Sequence, residues 1–471
     1  MSAVDSQAQP RPERRPAGEG GLAGYFRFAE RGTTASREIR AGLTTFMVMS
    51  YIIFVNPDIL AAAGVPRDGA AAATALVAGV LSIAMGLIAN APIALAAGLG
   101  LNGVVAFQLA GAGNGPLTWQ GAMGVVVLEG LIVLLLVVVG LREAIMHAVP
   151  LSLKRAIGVG IGLFILFIGF VNAGLIGIPA SQAVPVEFRF PTGGAPVVAL
   201  LGLLITVGLF ARRVPGALIL SILITTVIAL VTGVATVPQN ISVVPSFSTL
   251  GQFNVTEVFD PARFTLIAAL LVIFTLMLAD FFDTMGTATG IAEQAGLTDK
   301  DGRVDNIGRI LFVDSLGAVA GGAAGVSSNT SYIESAAGVA EGGRTGLTSI
   351  VTGLFFLAAI LLSPLALVVP SAATAPVLIV VGYLMITLLR DIDFGDIEEG
   401  FPALLGLILM PLTFSITNGI GAAFIAYVAI KLVRGKVRDV HPLMYLVAAA
   451  FVVYFAQAWL NMVISPTAPA T

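Results

Sequence analysis

The sequence predicts an all-α polytopic membrane protein with 14 transmembrane segments arranged as a 7+7 inverted repeat. Hydrophobic residues make up 57% of the chain and charged residues only 11%, and the mean hydropathy is +0.98, far above the usual range of soluble globular proteins. Apolar runs of bilayer-spanning length recur along nearly the whole chain. The basic residues between these runs alternate between dense and sparse loops.

The apolar runs fall into two sets on either side of a polar loop at 235–262. The first set lies at 43–63, 70–89, 94–110, 121–140, 150–174, 196–211 and 214–234. The second set lies at 264–288, 304–323, 329–343, 346–368, 371–388, 401–417 and 419–433. A further apolar stretch at 443–463 gives no indication of whether it spans the bilayer, lies at the interface or packs on the bundle. Residues 1–20 have no apolar core and predict a disordered tail, not a signal peptide.

The distribution of basic residues tests this map, because an even number of spans that begins in the cytoplasm fixes the side of every loop. Of the 24 Lys and Arg residues, only Arg67, Arg189 and Arg263 fall on the outer side. Dropping or adding one span near the middle would destroy that asymmetry. We therefore expect a multi-pass protein of the cell membrane with a cytoplasmic N-terminus.

An odd number of segments in each half means that the halves insert in opposite orientations, which is the pattern of inverted-repeat transporters. The third and tenth segments are short and rich in Gly: Ala94-Leu-Ala-Ala-Gly-Leu-Gly-Leu-Asn-Gly103 and Gly325-Val-Ser-Ser-Asn-Thr-Ser-Tyr-Ile-Glu-Ser-Ala-Ala-Gly338. Each predicts a short extended piece followed by a half-helix. Such backbone survives at membrane depth only where protein or a cavity satisfies its amides, so both breaks are expected to line one site.

Two carboxylates stand in the apolar eighth segment, three residues apart. Asp280 and Asp283 would lie on one face of a helix and look into the same cavity. A carboxylate at the centre of a membrane helix costs roughly 2.5 to 3.5 kcal/mol on insertion scales, so such residues usually serve transport or proton relay. Asp280 has an equally good structural explanation, as a neutralised or hydrogen-bonded partner of Asp283 or of a neighbouring hydroxyl.

Further polar residues stand in other segments. Glu334 lies beside the tenth-segment break and Asn102 at the third-segment break, where it would serve as a helix N-cap or beside a ligand that binds the half-helix amides. Glu129 and Asp314 are lone acids in apolar runs, which favours hydrogen bonds between helices over substrate contact.

Several function classes lack the residues they need. The chain has no Cys and two His, His147 and His441, both at the edges of apolar segments. An active site or a metal site within the membrane would therefore have almost no Cys or His side chains available. No cofactor, metal or nucleic acid is expected. The paired acids Asp280 and Asp283 resemble an intramembrane aspartyl dyad only superficially, because such dyads normally draw on two helices. No continuous polar pore, as a channel would require, is apparent.

At the same residues the chain resembles the AzgA-like purine permeases, which transport guanine, hypoxanthine and adenine, within the wider nucleobase-ascorbate transporter family. The resemblance rests on the motifs Phe282-Asp-Thr-Met-Gly-Thr287, Gly98-Leu-Gly-Leu-Asn102 and Ser331-Tyr-Ile-Glu-Ser335. It continues from Gly32-Thr-Thr34 and Phe54-Val-Asn-Pro57 to Met410-Pro-Leu-Thr-Phe-Ser-Ile416. The likeness implies elevator-like movement, a homodimer in the lipid bilayer and proton-coupled uptake of purine nucleobases.

The resemblance also implies roles for individual residues. Asp283 and Glu334 match the acids that bond the purine, and Asn102 matches the third-segment Asn. The full expected set for substrate binding is Asn102, Phe282, Asp283, Thr284, Ser331 and Glu334, and that for proton coupling is Asp283, Glu334 and Asp280. Related uracil permeases carry His four residues after the eighth-segment acid, whereas this chain has Thr287. The carboxylates must then carry the proton, and burial in a poorly hydrated site would favour their neutral form.

The resemblance divides the chain into a core domain that holds the site and a gate domain. The expected parts are a cytoplasmic tail at 1–40, core at 41–140, gate at 141–262, core at 263–368, gate at 369–440 and a C-terminal apolar segment at 441–471. Carriers of the same architecture that move anions such as bicarbonate or sulfate, or that move uracil or xanthine, remain open alternatives. Two acids at the site argue against an anion. The preferred purine and the choice between proton and sodium are not fixed by the sequence.

Overall fold

Across the residues that the structure describes, the fold is a bundle of helices with two short strand pairs. A computed structural model describes residues 21–110, 115–140, 149–177, 186–238, 244–263, 265–298 and 304–464. The tail at 1–20 and His147 lie outside these residues. The helices are α1 Leu22–Phe26, α2 Ala35–Met49, α3 Ile52–Ala61, α4 Arg67–Ala84, α5 Leu99–Gly103, α6 Trp119–Val139, α7 Leu151–Asn172, α8 Gly194–Ala211, α9 Ala217–Val231, α10 Val255–Val258, α11 Leu266–Ala295, α12 Ile307–Ala324, α13 Ser335–Ala340, α14 Gly346–Ala359, α15 Ser371–Ile386, α16 Ile397–Thr413, α17 Ile416–Val433 and α18 Pro442–Ile464.

The strands and the tighter or wider helical turns complete the element order. The strands are β1 Leu95–Ala97, β2 Ile176–Gly177, β3 Glu187–Phe188 and β4 Asn329–Ser331. π-helical turns extend α4 and α5 at Met85–Ala89 and Val104–Leu109, and 3₁₀ turns lie at Ile360–Leu367, Thr387–Asp391 and Val437–Asp439.

Ten helices among the described residues are long and apolar enough to cross a membrane. This agrees with a polytopic membrane protein. The predicted segments 214–234 and 401–417 coincide with α9 and α16, which are 15 and 17 residues long. The stretch at 443–463 coincides with α18, of which 442–456 forms a shorter apolar helix. The 7+7 layout therefore stays a prediction.

The two predicted breaks are strand–helix units, as the sequence indicated. β1 precedes α5, and β4 precedes α13. The strands pair with each other in antiparallel register, with Leu95 opposite Ser331 and Ala97 opposite Asn329. This pairing satisfies backbone amides that would otherwise be unpaired inside the bundle. It also brings the two halves of the chain together at one place.

Helix α12 supports this strand pair through two glycines. A Cβ on Gly317 would lie 2.5 Å from the carbonyl oxygen of Asn329, and one on Gly321 would lie 2.0 Å from that of Ser327. Only glycine therefore lets the helix approach the backbone of β4 so closely. The spacing of four places both glycines on one face of α12.

The helices pack in two groups. In one group α12 packs on α6, and α14 packs on α2 and α4. In the other, α15 packs on α7, α8 and α9, and α16 packs on α7 and α17. Helix α11 contacts α6 and β4 of the first group, and also α7 and α17 of the second. The interface between the groups is where the candidate site lies.

Candidate substrate site

A cavity of about 80 Å³ lies between the strand pair, α11 and the second group of helices. Its polar lining comes from the first group of helices and from α11, whereas Ile161, Val381 and Met385 supply an apolar wall from α7 and α15. The remaining lining residues are Tyr51, Gly98, Leu99, Gly100, Leu101, Ala279, Asp283, Thr287, Thr330, Ser331, Tyr332, Ile333 and Glu334. The cavity is smaller than the roughly 300 to 1,000 Å³ of typical ligand pockets, so a ligand of ring size requires the wall to move.

Two acids that the sequence singled out, Asp283 and Glu334, line this cavity together. The hydroxyl of Tyr51 donates a hydrogen bond of 2.7 Å to Oε1 of Glu334. Tyr51 stands at the junction of α2 and α3, where the first segment changes direction. The hydroxyl of Tyr332 donates to the carbonyl oxygen of Ala97 at 2.5 Å and ties the end of β4 to β1. Both acids remain partly exposed to the cavity.

Asp314 lies behind the cavity and organises β4. Its Oδ1 accepts hydrogen bonds from the backbone N–H of Ser331 at 2.8 Å and from the Ser331 hydroxyl at 2.9 Å. Its Oδ2 accepts from the hydroxyl of Thr284 on α11 at 2.7 Å. The expected hydrogen bond between helices is confirmed for this residue. Thr284 also lies 2.6 Å from the hydroxyl of Thr330, so α11, α12 and β4 share one polar network.

Asn102 is buried behind the cavity. Its side-chain amide donates to Oδ1 of Asn56 at 2.6 Å, and Asn56 in turn donates to Thr74 at 2.8 Å. The N-cap interpretation of Asn102 is wrong, because Gly98 holds the cap position of α5. The bond to Asn56 joins the third segment to the first. Asn56 also donates to the carbonyl oxygen of Val326 just before β4, at 3.2 Å.

Three other predicted site residues do not line this cavity. Phe282 packs edge-on to Phe281, with the ammonium of Lys154 5.3 Å from its ring centre. Thr284 is occupied by the Asp314 network. Asp280 is fully buried one turn before Asp283, and no described hydroxyl donates to it, so the alternative of a neighbouring hydroxyl as its partner is wrong.

The sequence reasoning missed other members of the lining. Tyr51 could have been identified from the sequence, since a tyrosine in an apolar run needs a hydrogen-bond partner for its hydroxyl. Tyr332 and Thr330 lie within a break that was already recognised. The apolar wall of Ile161 and Met385 carries no signal, because its residues are ordinary for a membrane helix.

The lining combines hydrogen-bonding groups with an apolar wall. Carboxylates accept hydrogen bonds from ligand N–H groups. The first-turn amides of a helix have no acceptor within that helix, so the N–H groups of residues 99–101, which also line the cavity, have no partner within α5. An apolar wall completes a site of the kind that binds small ring compounds.

Comparison with known proteins gives a consistent result. The chain matches Xan_ur_permease, described as a permease family, over residues 36–422. It is 41% identical over 444 residues to the guanine/hypoxanthine permease PbuG of Bacillus subtilis, a match that covers 92% of this chain and 98% of that protein. It is 40% identical over 443 residues to the adenine permease AdeP of Escherichia coli, covering 93% and 96%.

A solved structure shares the fold. The transmembrane domain of the cyanobacterium bicarbonate transporter BicA superposes with a TM-score of 0.59 over 82% of this chain and 97% of that chain. The two sequences are 17% identical, so this likeness bears on the fold alone.

Proposed function

The chain belongs to this permease family, and from that premise we propose that it is a secondary active transporter that imports purine nucleobases by proton symport. Its relatives include permeases for guanine, hypoxanthine and adenine that it matches over more than nine-tenths of its length. These relatives are transporters, and no enzymatic activity is proposed. The observation that carries the proposal is the placement of Asp283 and Glu334 on one cavity.

Recognition of a purine follows from the chemistry of that cavity. Purines present ring N–H donors and ring N or exocyclic O acceptors at the edge of a flat apolar body. In our proposal Asp283 and Glu334 accept from the N–H groups, with Ser331 beside them, and the amides of residues 99–101 donate to the acceptors. Ile161 and Met385 cover the ring face. Asn102 and Thr284 act through the partners described above, and Phe282 acts through packing.

The proton is proposed to enter through three acids inside the helical bundle, Asp283, Glu334 and Asp280. Burial in a poorly hydrated site disfavours an ionised carboxylate, so these groups have a reason to bind a proton. Thr287 stands where related permeases for uracil carry His, so the proton must be bound by carboxyl groups.

Alternation of access is proposed to be elevator-like. The core would comprise 41–140 and 263–368, and the gate 141–262 and 369–440, with the tail at 1–40 and the segment at 441–471 outside both. The two packing groups of helices support this division. A core that slides against the gate would also widen the narrow cavity. A homodimer, the 7+7 topology and a cytoplasmic N-terminus in the cell membrane belong to the same proposal.

Thermal stabilisation of the purified protein in detergent tests the function. Hypoxanthine, guanine, adenine, xanthine, uracil and sulfate are compared side by side at equal concentrations. A ligand that binds only the folded protein raises its melting temperature by mass action. We expect stabilisation by at least one of hypoxanthine, guanine and adenine, and none by sulfate. Stabilisation by sulfate or uracil alone would contradict the proposal.

A further inference from the structure

Glu129 and Asp280 form a buried carboxyl pair outside the substrate cavity. Glu129 lies in the middle of α6 and Asp280 in the middle of α11, and these helices pack against each other. Both residues are 0% exposed. Their carboxyl groups lie within hydrogen-bonding reach of each other.

No N–H or O–H group among the described residues donates to any of the four oxygens of this pair. The other charged groups that act on the pair are Asp314 and Asp283, both of them acidic. Asp314 already accepts three hydrogen bonds from Thr284 and Ser331. No ion pair within 4.0 Å joins a described Lys or Arg to either of these carboxyl groups. The pair therefore has no counter-charge in the part of the chain that the structure describes.

Two adjacent carboxyl groups in this situation cannot both be ionised. Isolated buried charge is prohibitively costly, and two like charges at hydrogen-bonding distance add repulsion to that cost. One proton shared between the groups removes the repulsion and supplies the missing donor. The pair then titrates as a unit, with one net charge when it holds one proton and none when it holds two.

We propose that Glu129 and Asp280 share a proton and that this pair holds the co-transported proton during transport, with Asp283 and Glu334 on the path by which the proton enters. The inference rests on the proposed proton-coupled purine transport. In the unloaded state the pair holds one proton and is negative. Taking up a second proton makes it neutral, and a neutral pair costs less to carry through a membrane than a charged one.

The structure connects this pair to the purine cavity. Asp280 lies one helical turn from Asp283, which lines the cavity. Thr284, next to Asp283, bonds to Asp314, and Asp314 bonds to Ser331 of β4 in the cavity wall. Asp314 also lies close enough to act on both members of the pair. Asp314 is therefore a neighbour of a purine bound beside β4 and also of a proton bound at Glu129 and Asp280. Through Asp314 the binding of either one can affect the binding of the other.

Proteoliposomes with an imposed pH difference and no membrane potential test the proposal. With one proton per purine, a difference of about one pH unit, alkaline inside, supports an accumulation of about tenfold, since one pH unit and a tenfold concentration ratio are the same free energy. We expect the double variant E129Q/D280N to accumulate labelled hypoxanthine only to a ratio of about one. Exchange of external labelled for internal unlabelled hypoxanthine needs no net proton movement and should be retained. The variant E341Q, at an exposed acid, is the matched control and should behave as wild type.

The outcomes separate this inference from the proposed function. If wild type does not take up hypoxanthine, the proposed function fails, whatever the variants do. If wild type accumulates it and E129Q/D280N accumulates it equally under the same gradient, the proton site is elsewhere and the inference is overturned. Loss of accumulation and exchange together, in a variant that still binds hypoxanthine, also overturns it. The inference is also overturned if accumulation by wild type depends on a sodium gradient and not on the pH gradient.

Infrared spectroscopy of the ligand-free protein keeps the inference testable should the double variant not fold. A shared proton predicts a carboxylic acid C=O band in wild type at neutral pH that shifts in deuterium oxide and changes frequency in D280N, where Glu129 holds its proton without an acceptor. The same band should persist in D283N. Absence of any such band in wild type overturns the inference. A band that D283N removes and D280N leaves unchanged does so as well.

Discussion

Glu334 is the residue at which the transport hypothesis makes its simplest prediction. One oxygen of its carboxyl group accepts from Tyr51, and the group is partly exposed to the cavity. We expect Glu334→Gln to weaken hypoxanthine binding, because the amide presents only one accepting oxygen and no charge. A hydrogen bond to a charged group is worth about 1.5 to 3 kcal/mol, which corresponds to roughly 10- to 150-fold in Kd.

Equilibrium binding of labelled hypoxanthine to purified protein measures this effect. Glu341→Gln is the control, since Glu341 is an exposed acid at the end of the same short helix. Unchanged affinity in the Glu334 variant would remove this residue from the site.

At the residue scale, the sequence predicted the acids better than their partners. A charge inside a membrane segment is costly wherever it lies, so Asp283 and Glu334 stood out without any structure. Which helix meets which cannot be read from a lone acid in an apolar run. For that reason the partner of Asp280 was expected on its own helix or at a hydroxyl, whereas the structure brings Glu129 to it.

At the scale of elements, the glycines of α12 control the position of β4. We expect Gly321→Ala to displace β4 and weaken purine binding, because its Cβ would lie 2.0 Å from the Ser327 carbonyl oxygen. Backbone cannot yield as a flexible side chain does, and overpacking of this kind typically costs about 1 to 3 kcal/mol in stability. A lower melting temperature and a lower affinity for hypoxanthine should appear together.

Gly290→Ala is the matched control for that variant. Gly290 also lies inside a helix, and nothing stands within 4 Å of where its Cβ would be. Alanine favours helix over glycine by up to about 1 kcal/mol, so this variant should be as stable as wild type or slightly more so. Equal behaviour of the two variants would show that the close approach of α12 to β4 is unimportant.

The sequence predicted the existence of both strand–helix elements but not their pairing. Short, Gly-rich segments at membrane depth indicate extended backbone, because such backbone needs a protected place. The register that sets Ala96 opposite Thr330 joins residues from the two halves of the chain, and β4 also packs against α12. Local patterns carry no information about it.

At the scale of the whole molecule, Asp58 joins the two packing groups, since it lies on α3, which packs on α4 of the first group. It accepts from Ser371 at 2.7 Å and from Thr374 at 2.5 Å, both on α15, and it also pairs with Arg67. If the groups slide during transport, these bonds to α15 must break. We therefore expect a covalent link between positions 58 and 374 to stop uptake.

Because the chain contains no cysteine, the cross-linking reagent has no native thiol to react with. The double variant Asp58→Cys with Thr374→Cys is joined by a short, cleavable thiol cross-linker, and uptake of labelled hypoxanthine is compared before linking, after linking and after cleavage. Each single cysteine variant treated with the same reagent is the control. Full uptake by the linked protein would contradict relative movement of the two groups at this interface.

Composition and hydropathy indicated a polytopic membrane protein, and the structure and the family agree. They did not determine how many segments cross the bilayer, because the short elements around Leu99 and Asn329 and the helices α9 and α16 fall below the length of an ordinary span. Segments held by their neighbours need not carry a full apolar run of their own. Segment number is therefore a property of the assembled bundle.

Uptake of labelled hypoxanthine into proteoliposomes, challenged with an excess of unlabelled adenine, guanine, xanthine, uracil or sulfate, tests the central claim most directly. The purine-permease account predicts uptake above that of empty vesicles, competition by guanine or adenine, and no competition by sulfate or uracil. Absence of hypoxanthine uptake, or uptake blocked by sulfate or uracil and indifferent to every purine, would contradict it.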